Sequence, residues 1–326
     1  MRLQKPCLLL CLLVEHYMVN LEVIFLGTSA AMPAEDRSLS SLVVNRNGTL
    51  LIFDAGEGMQ YNFIRTGLGF NRKTMIFITH MHSDHILGIL GFLQTLSLQG
   101  RKAGVDIFGP ELLYDFLVEN MKLLPIKLTF QLDIHVIPNS QGTIVEEKDY
   151  KILYCKSEHG PNICSYAYCL LENDRPGKFN VGRAKELGIP EGELYGSLQK
   201  GVDVIYDDKL FYSHDIVGPT RPGRKIGISG DTRPSDSLCD FFRNCDLLIF
   251  ESTFSSNELT KATESYHSTA IETATLAKMA SVRRLCLTHF SSRYKDLNVL
   301  LYEAKSIFFH TELAFDLKII PVHYLK

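Results

Sequence analysis

The segment His80-Met81-His82-Ser83-Asp84-His85 places three imidazoles and one carboxylate within six residues. Imidazole nitrogen and carboxylate oxygen together form the ligand mixture that Zn²⁺ prefers, and Mn²⁺ or Fe²⁺ could bind the same mixture. The spacing suits two metal ions better than one, because one pair of side chains can face each ion. We therefore predict a dinuclear metal centre on this segment.

The elements on either side of this segment would hold it in place. The stretch from Thr74 to Thr79 is apolar and predicts a buried strand, whereas the apolar residues after the segment recur at helical spacing. The segment therefore lies on a turn from a strand to a helix. In an extended approach His80 and His82 point to the same side, and Asp84 and His85 lie where the helix begins.

Other candidate ligands lie far from this segment in the sequence. Each follows a short apolar stretch that predicts a strand, and they are His159, Asp231 and His289. Side chains at the ends of strands converge on one edge of a sheet, which is a rigid place for a metal site. A dinuclear site needs about seven protein ligands when one carboxylate is shared, and the sequence supplies that number.

The motif His-x-His-x-Asp-His is the signature of the metallo-β-lactamase superfamily, and the chain resembles the ribonuclease Z family within it. The resemblance runs from Leu21 to the C-terminus, through segments that occur in the family's order. These segments are Phe25-Leu26-Gly27-Thr28-Ser29-Ala30, Phe53-Asp54-Ala55-Gly56-Glu57-Gly58-Met59-Gln60, Glu158-His159-Gly160-Pro161, Ser229-Gly230-Asp231-Thr232-Arg233-Pro234, Phe250-Glu251-Ser252-Thr253-Phe254, Tyr266-His267-Ser268-Thr269 and Leu287-Thr288-His289-Phe290-Ser291-Ser292-Arg293-Tyr294.

The resemblance implies an α/β fold, the metallo-β-lactamase αββα sandwich, with two Zn²⁺ per subunit along one edge. It implies one ion on His80, His82 and His159, the other on Asp84, His85 and His289, and Asp231 as the bridge. Asp54 would orient a ligand histidine from behind. An ordinary turn residue before Gly56 is the alternative for Asp54.

The resemblance also implies how the site would act. Water activated between the metals would attack phosphorus with Asp84 as proton acceptor, and His267, held by Glu251, would protonate the leaving oxygen. The family's Glu-Ala-Thr here begins at Glu251 and reads Glu-Ser-Thr, which keeps the carboxylate. Arg293 and Arg233 are candidates for holding a phosphate oxygen, and a surface ion pair is the alternative for each.

Residues 174–201 look like an insertion into this fold. The segment is rich in glycine and carries Arg175, Lys178, Arg183, Lys185 and Lys200. A loop of this length is expected to be functional or disordered. It lies where ribonuclease Z carries a protruding arm that grips tRNA, so the resemblance implies precursor tRNA as the partner. Gly192-Glu193 departs from the Gly-Pro that the family often has there. Since the net charge is −3, RNA binding must be local.

Length and composition predict one globular domain over residues 18–326 that contains the arm. The chain has 326 residues, of which 45% are hydrophobic and 22% charged. Residues 1–17 are expected to be a disordered extension from an upstream start codon, because Met18 precedes the segment where such proteins begin. The apolar run from Cys7 to Val14 is too short to span a bilayer, and no cleavage site follows it.

The remaining expectations concern location and assembly. Eight cysteines without a C-x-x-C pair indicate reduced thiols in a cytoplasmic protein. The resemblance implies a homodimer in which the arm of one subunit presents tRNA to the site of the other. No membrane association is expected.

The leading functional prediction is an endoribonuclease that cuts tRNA precursors after the discriminator base, leaving a 3′-hydroxyl on the tRNA and a 5′-phosphate on the trailer. The alternative within the superfamily is a small-molecule phosphodiesterase, arylsulfatase or lactonase, which would have no use for the arm. A non-catalytic RNA-binding paralogue is a third class, and the presence of all seven ligand residues argues against it.

Overall fold

A computed structural model describes residues 21–138 and 140–324. The strands are β1 Leu21–Gly27, β2 Ser29–Ala30, β3 Ser41–Arg46, β4 Thr49–Phe53, β5 Thr74–Phe77, β6 Val105–Gly109, β7 Leu132–Val136, β8 Gly142–Glu146, β9 Tyr150–Ser157, β10 Ser165–Glu172, β11 Val204–Tyr206, β12 Lys209–Phe211, β13 Lys225–Ile228, β14 Leu247–Glu251, β15 Leu285–Thr288, β16 Phe290–Ser291, β17 Thr311–Leu313 and β18 Ile319–Pro321. The helices are α1 Met59–Thr66, α2 Ser83–Ile86, α3 Ile89–Leu98, α4 Leu112–Leu123, α5 Val181–Glu186, α6 Glu193–Gln199, α7 Asp236–Phe241, α8 Leu259–Glu264, α9 Ala270–Met279 and α10 Asn298–Ile307, with 3₁₀ turns at Ser213–Asp215 and Ser256–Glu258.

Two seven-stranded sheets form the body of the protein. Their orders are β18-β1-β3-β4-β5-β6-β7 and β17-β15-β14-β13-β10-β9-β8. In each sheet, the antiparallel pairs lie on one side and the parallel pairs on the other. The two sheets therefore follow the same plan of strand directions.

The alternation of side chains along the strands explains the layers. In β4, Leu51 and Phe53 face the core between the sheets, while Leu50 and Ile52 belong to a second core beneath α1, α3 and α4. Successive strand residues point to opposite faces, so a strand buried on both faces reads as a continuous apolar run. Helices α7, α9 and α10 cover the second sheet. The arrangement confirms the predicted αββα sandwich.

Tyrosines of the second sheet tie it to the end of β5. The Tyr168 hydroxyl donates to the Ile78 carbonyl at 2.6 Å, and the Tyr166 backbone N–H donates to the Thr79 carbonyl at 3.0 Å. Both tyrosines are fully buried. These bonds satisfy backbone groups where β5 has ended, and they fix the predicted strand-to-helix turn against the other sheet.

The helical segment after this turn is not continuous. It divides into α2 and α3 around Gly88, and Leu87 is 50% exposed there. A Cβ on Gly88 would lie 2.2 Å from the Gly56 carbonyl oxygen. The break therefore lets the chain pass closely over the turn that follows β4.

The insertion folds as a small unit of its own. It contains α5, α6 and the β11–β12 hairpin, and its buried residues form a separate cluster. Two backbone hydrogen bonds between Arg175 and Arg221, of 2.8 and 2.9 Å, close its base. We call residues 175–221 the arm module. The predicted boundary at 201 falls inside it, because Val204, Phe211 and Ile216 complete its core.

A buried ion cluster joins the two sheets beside this module. Glu172, at the end of β10, accepts hydrogen bonds from Arg46 of β3 at 2.9 Å and from Arg224 at 2.7 and 2.8 Å. Burial raises the pKa of Glu172, but the Arg224 and Arg46 guanidiniums outweigh burial and lower it. Tyr324 stacks on both Arg175 and Arg224. The cluster therefore anchors the start of the arm module to the body.

The remaining sequence expectations concern the N-terminal extension, membrane spans and the cysteines. The expected extension over residues 1–17 lies outside the described residues. Within the described part, no helix has the length and apolar character needed to cross a membrane. The cysteines of that part are free thiols, namely Cys155, Cys164, Cys169, Cys239, Cys245 and Cys286.

Candidate active site

The ends of several strands bring all seven predicted ligands to one edge of the sandwich. Three groups of side chains among the described residues lie close enough to hold an ion. Asp231 belongs to two of them, and the third consists of Glu251, His267 and His289. The first group adds His80, His82 and His159, and the second adds Asp84, His85 and His289. The structure thus divides the side chains as the family resemblance implies.

Asp231 lies at the centre of the site. Its Oδ2 is 3.2 Å from the Nε2 atoms of both His85 and His289, and 3.8 Å from those of His80 and His159. Its side chain is 3% exposed. One carboxylate oxygen is therefore placed between the two groups of ligands, as a bridging ligand must be.

Asp84 completes the second group. Its Oδ2 lies 3.6 Å from His85 Nε2 and 3.5 Å from His289 Nε2, and it accepts a hydrogen bond of 2.7 Å from the Ala31 backbone N–H. Burial raises the pKa of Asp84, but the hydrogen bond with His289 and the charge of His85 outweigh burial and bring it well below its ordinary value. The carboxylate is therefore ionised at neutral pH.

The Asp54 carboxylate holds two candidate ligand histidines in position from the side away from the site. His85 Nδ1 donates to Asp54 Oδ2 at 2.7 Å, and the Thr79 hydroxyl donates to the same oxygen at 2.9 Å. Because that hydroxyl has already used its single hydrogen, it accepts from His80 Nδ1 at 2.9 Å. Both rings then turn Nε2 toward the centre.

Glu251 repeats this arrangement on the second sheet. His267 Nδ1 donates to Glu251 Oε1 at 2.9 Å, and the Thr253 hydroxyl donates to Oε2 at 2.6 Å. Thr253 then accepts from His289 Nδ1 at 2.9 Å. Each carboxylate thus holds one histidine directly and a second through a threonine hydroxyl.

The donor atoms fit divalent cations. His80 Nε2 and Asp231 Oδ1 are buried and have no hydrogen-bond partner among the described residues. In addition, His85 Nε2 lies 3.3 Å from His289 Nε2, and His82 Nδ1 lies 3.1 Å from His159 Nε2. Buried polar atoms without partners are costly, and paired ring nitrogens facing each other need a shared cation or proton. The residues present therefore fit bound metal.

The pKa values of the histidines agree with that use. Burial and the neighbouring His85 keep the pKa of His80 well below its ordinary value, so its ring is neutral and Nε2 offers a lone pair. Burial also lowers the pKa of His85, but the Asp231 and Asp54 carboxylates outweigh it and raise that pKa well above normal. A cation bound at His85 would displace the proton that this pKa implies.

The backbone permits the close approach of these side chains at specific points. Gly230 has φ of +59°, and a Cβ there would lie 2.8 Å from Thr79 Cγ2. Asp54 and His289 also have positive φ, at 59° and 57°. Left-handed backbone is unfavourable for residues other than glycine and concentrates at functional sites, where surrounding contacts hold it.

The predicted acid, His267, lies beside the candidate metal ligands. Its ring centroid is 4.8 Å from that of His159 and 5.3 Å from that of His289. Burial lowers the pKa of His267, but Glu251 outweighs burial and raises it to about 9. The ring is therefore protonated at neutral pH and can donate a proton.

The two arginine candidates for phosphate binding are both engaged. Arg233 pairs with the Glu272 carboxylate and donates to the His267 carbonyl at 2.6 Å. These contacts place Arg233 where it fixes the loop that carries His267. Arg293 pairs with Glu258 at 2.9 Å and lies over the Phe254 ring. The alternative of an ion pair therefore describes both residues in this structure.

Of the five basic candidates in the insertion, three are also engaged with other side chains. Arg183 pairs with Glu186 at 3.2 Å and Lys185 with Glu191 at 2.9 Å, whereas Arg175 stacks on Tyr324. Lys178 and Lys200 are exposed and form no ion pair within the described residues. The exposed positions therefore favour Lys178 and Lys200 as the first contacts for an approaching polyanion.

Sequence reasoning missed the residues that orient the ligands. Thr79 and Thr253 carry the hydroxyl links, the Tyr266 carbonyl accepts from His159 Nδ1 at 3.0 Å, and Ala31 holds Asp84. The threonines each lie one or two residues from a predicted functional residue in the sequence. That proximity was the only available signal, because a backbone carbonyl or N–H has no sequence signature.

Replacing Asp54 with asparagine should weaken metal binding by about 10- to 100-fold. Oδ2 of Asp54 accepts from His85 Nδ1 and the Thr79 hydroxyl while Oδ1 accepts from the Thr79 backbone N–H, and an amide would place an NH2 group, which cannot accept, at one of these two positions. The measurement is competition with a chelator of known affinity. Asp106→Asn is the matched control, since Asp106 pairs with His135 at 2.9 Å on the surface. Equal affinities of the two variants would contradict the role of Asp54.

Comparisons with known proteins agree with this geometry. The chain is 47% identical to "Ribonuclease Z" of Nitrosopumilus maritimus over 287 residues, covering 88% of this chain and 95% of that protein. It is 42% identical to "Ribonuclease Z" of Methanosarcina mazei, covering 93% and 99%. The crystal structure of human tRNase Z, short form, superposes with a TM-score of 0.67 at 27% identity and covers 93% of this chain and 99% of that one. A family model described as anti-Pycsar protein Apyc1 matches residues 21–177.

Proposed function

Since the chain belongs to the ribonuclease Z family, we propose that it is the zinc-dependent endoribonuclease that removes the 3′ trailer from tRNA precursors. It is a hydrolase that cleaves phosphodiester bonds, and its cut after the discriminator base leaves a tRNA 3′-hydroxyl and a trailer 5′-phosphate. The observation that carries the proposal is the meeting of seven metal-ligand residues with the Glu251–His267 pair at one edge of the sandwich.

The seven ligands would hold two divalent cations, one on His80, His82 and His159, the other on Asp84, His85 and His289, with Asp231 shared. Bound there, such cations lower the pKa of water and neutralise charge on a phosphodiester. We propose zinc because the donor set is imidazole and carboxylate.

The residues of the chain then have separate tasks. Asp84, ionised and anchored by Ala31, accepts a hydrogen bond from the attacking water and receives its proton. In the reaction, a bond forms between the water oxygen and phosphorus and the P–O3′ bond breaks.

His267 serves the leaving oxygen. Glu251 holds its Nδ1–H, so Nε2 carries the proton that passes to O3′ of the discriminator nucleotide. Arg233 fixes the position of this ring through the His267 carbonyl. Water and leaving group thus meet different residues of the chain.

We further propose precursor tRNA as the partner of the arm module, and a homodimer that functions in the cytoplasm. Lys178 and Lys200 support local contact with phosphates, as the net charge of −3 requires. The free thiols of the described cysteines agree with a reducing compartment.

The direct test is cleavage of an end-labelled tRNA precursor by the purified protein, with chelation and with zinc or manganese restored. We expect one metal-dependent cut next to the discriminator. Metal-loaded protein that left the precursor intact yet hydrolysed a small phosphodiester would instead be the small-molecule hydrolase of the same superfamily.

Removing the arm module should separate RNA recognition from chemistry. Arg175 and Arg221 exchange both backbone hydrogen bonds, so an Asn-Gly turn can join them in place of residues 176–220. We expect kcat/KM for precursor tRNA to fall by at least about 100-fold, the equivalent of several phosphate contacts, with little change for a chromogenic diester.

In the double variant Lys178→Ala, Lys200→Ala, kcat/KM for precursor tRNA should fall by less than in the deletion. The double variant Lys122→Ala, Lys73→Ala is its surface control. Unchanged precursor cleavage by the deletion would refute this role.

A further inference from the structure

A cavity of about 610 Å³ opens beside the first group of metal ligands. It lies between the segment after β5, the start of α4, the end of β7 and the turn before β10. Its walls include Met81, His82, Leu112, Ile137, Ile163 and Cys164. A volume of this size is in the range of small-ligand sites, and His82 belongs both to the metal ligands and to the cavity wall.

The cavity walls are mainly apolar. Leu112 is 65% exposed and Val136 is 49% exposed, although both face a site built for polar chemistry. Among the described residues, the wall contains no lysine or arginine, and Glu111, the one acidic residue among them, would repel a phosphate. Exposed apolar surface beside a reaction site indicates a ligand group that is uncharged and has apolar surface of its own. A nucleobase is the part of an RNA substrate with that character.

The position of His267 indicates whether this base belongs to the discriminator nucleotide or to the first trailer nucleotide. The His159 ring contacts both the His82 ring, at 4.9 Å between centroids, and the His267 ring, at 4.8 Å. The cavity adjoins His82 and is not lined by His267. The leaving O3′ must be near His267, so the nucleotide that keeps the phosphate lies toward His82.

We propose that this cavity binds the base of the first trailer nucleotide, with Leu112, Ile137 and Ile163 against its faces. The inference rests on the proposed function and adds a specificity-determining site to it. Asn162 and the Cys164 thiol, which lies 3.0 Å from the Tyr166 hydroxyl, offer polar atoms at the edge of the base. The site would position the scissile phosphate by holding the nucleoside that is attached to it through O5′.

The test is a cycle that combines a protein change with a substrate change. Leu112→Trp fills the cavity from an exposed position at the start of α4, and an abasic residue replaces the first trailer nucleotide of the precursor. Loss of a stacked base should lower kcat/KM of the wild-type protein about tenfold or more. Leu112→Trp should lower kcat/KM for the intact precursor by a similar factor. With the abasic precursor, Leu112→Trp should cause little further loss.

Leu123→Trp is the matched control, because Leu123 is 77% exposed at the other end of the same helix and does not line the cavity. Each variant is checked for metal content and thermal midpoint. The inference is overturned if the abasic residue has no effect on the wild type, or if the two changes reduce kcat/KM independently. Should neither the wild type nor Leu123→Trp cut the intact precursor, the proposed function fails as well.

A second measurement does not depend on turnover. A precursor with 2-aminopurine at the first trailer position is bound to the Asp84→Ala variant and, separately, to the double variant Asp84→Ala, Leu112→Trp. The fluorescence of the 2-aminopurine is compared between the two complexes. We expect the emission to change on binding when the cavity is open and to change less when it is filled. The same emission with both proteins would overturn the inference, since the base would then not enter the cavity.

Discussion

Asp231→Asn should abolish both the metal centre and cleavage. The Asp231 carboxylate has one oxygen within 3.2 Å of His85 and His289 and within 3.8 Å of His80 and His159. Asparagine keeps the volume of the side chain but removes the charge that would offset the bound cations. Because metal-assisted stabilisation contributes several kcal/mol to such reactions, we expect kcat to fall by at least about 10³-fold.

The measurement is metal stoichiometry by atomic emission together with cleavage of a labelled precursor. Asp240→Ala is the control, because the Asp240 side chain is 72% exposed. We expect wild-type metal content and activity in the control, and loss of metal in Asp231→Asn. Full metal content with more than a tenth of wild-type activity would show that Asp231 does not bridge.

His267→Ala should have the second largest effect, and the effect should depend on the leaving group. General acid catalysis contributes about 10²- to 10⁴-fold when the leaving oxygen is a poor leaving group, as the ribose O3′ is. We therefore expect a loss in that range for precursor tRNA. With bis(p-nitrophenyl) phosphate, whose leaving group departs as a stable anion, the loss should be less than about tenfold.

Metal content separates this role from a structural one. Since His267 lies 4.0 Å from Asp231 and shares Glu251 with Thr253, its removal is followed by metal analysis as well as by kinetics. His310→Ala, at an exposed side chain outside the arm module, is the control. Equal losses on both substrates with normal metal content would rule out His267 as the acid.

The Glu251 carboxylate connects these two predictions. It contacts His267 directly and reaches the candidate metal ligand His289 through the Thr253 hydroxyl. Asp54 does the same on the first sheet, for His85 and, through Thr79, for His80. In each case a buried carboxylate fixes which ring nitrogen carries hydrogen, and the other nitrogen is left to face the reaction centre.

The sequence by itself determined the local parts of this protein. The apolar run before His80 predicts a strand, and β5 occupies Thr74–Phe77. Candidate ligands placed directly after apolar runs lie at strand ends in the structure, as His159, Asp231 and His289 do. These predictions succeed because the period of side chains along a strand and the turn after it depend on neighbouring residues only.

Only the tertiary structure decided how distant parts meet. In the structure, Arg233 pairs with Glu272 and Arg293 pairs with Glu258. The arm module extends beyond residue 201, and Leu112 lies across a cavity from His82. Each of these contacts joins elements whose separation in the chain says nothing about their separation in space. They are set by the packing of two sheets and by which buried polar groups must find partners. The sequence thus specified the candidate ligands, and the packing of the sheets brought them together and determined their neighbours.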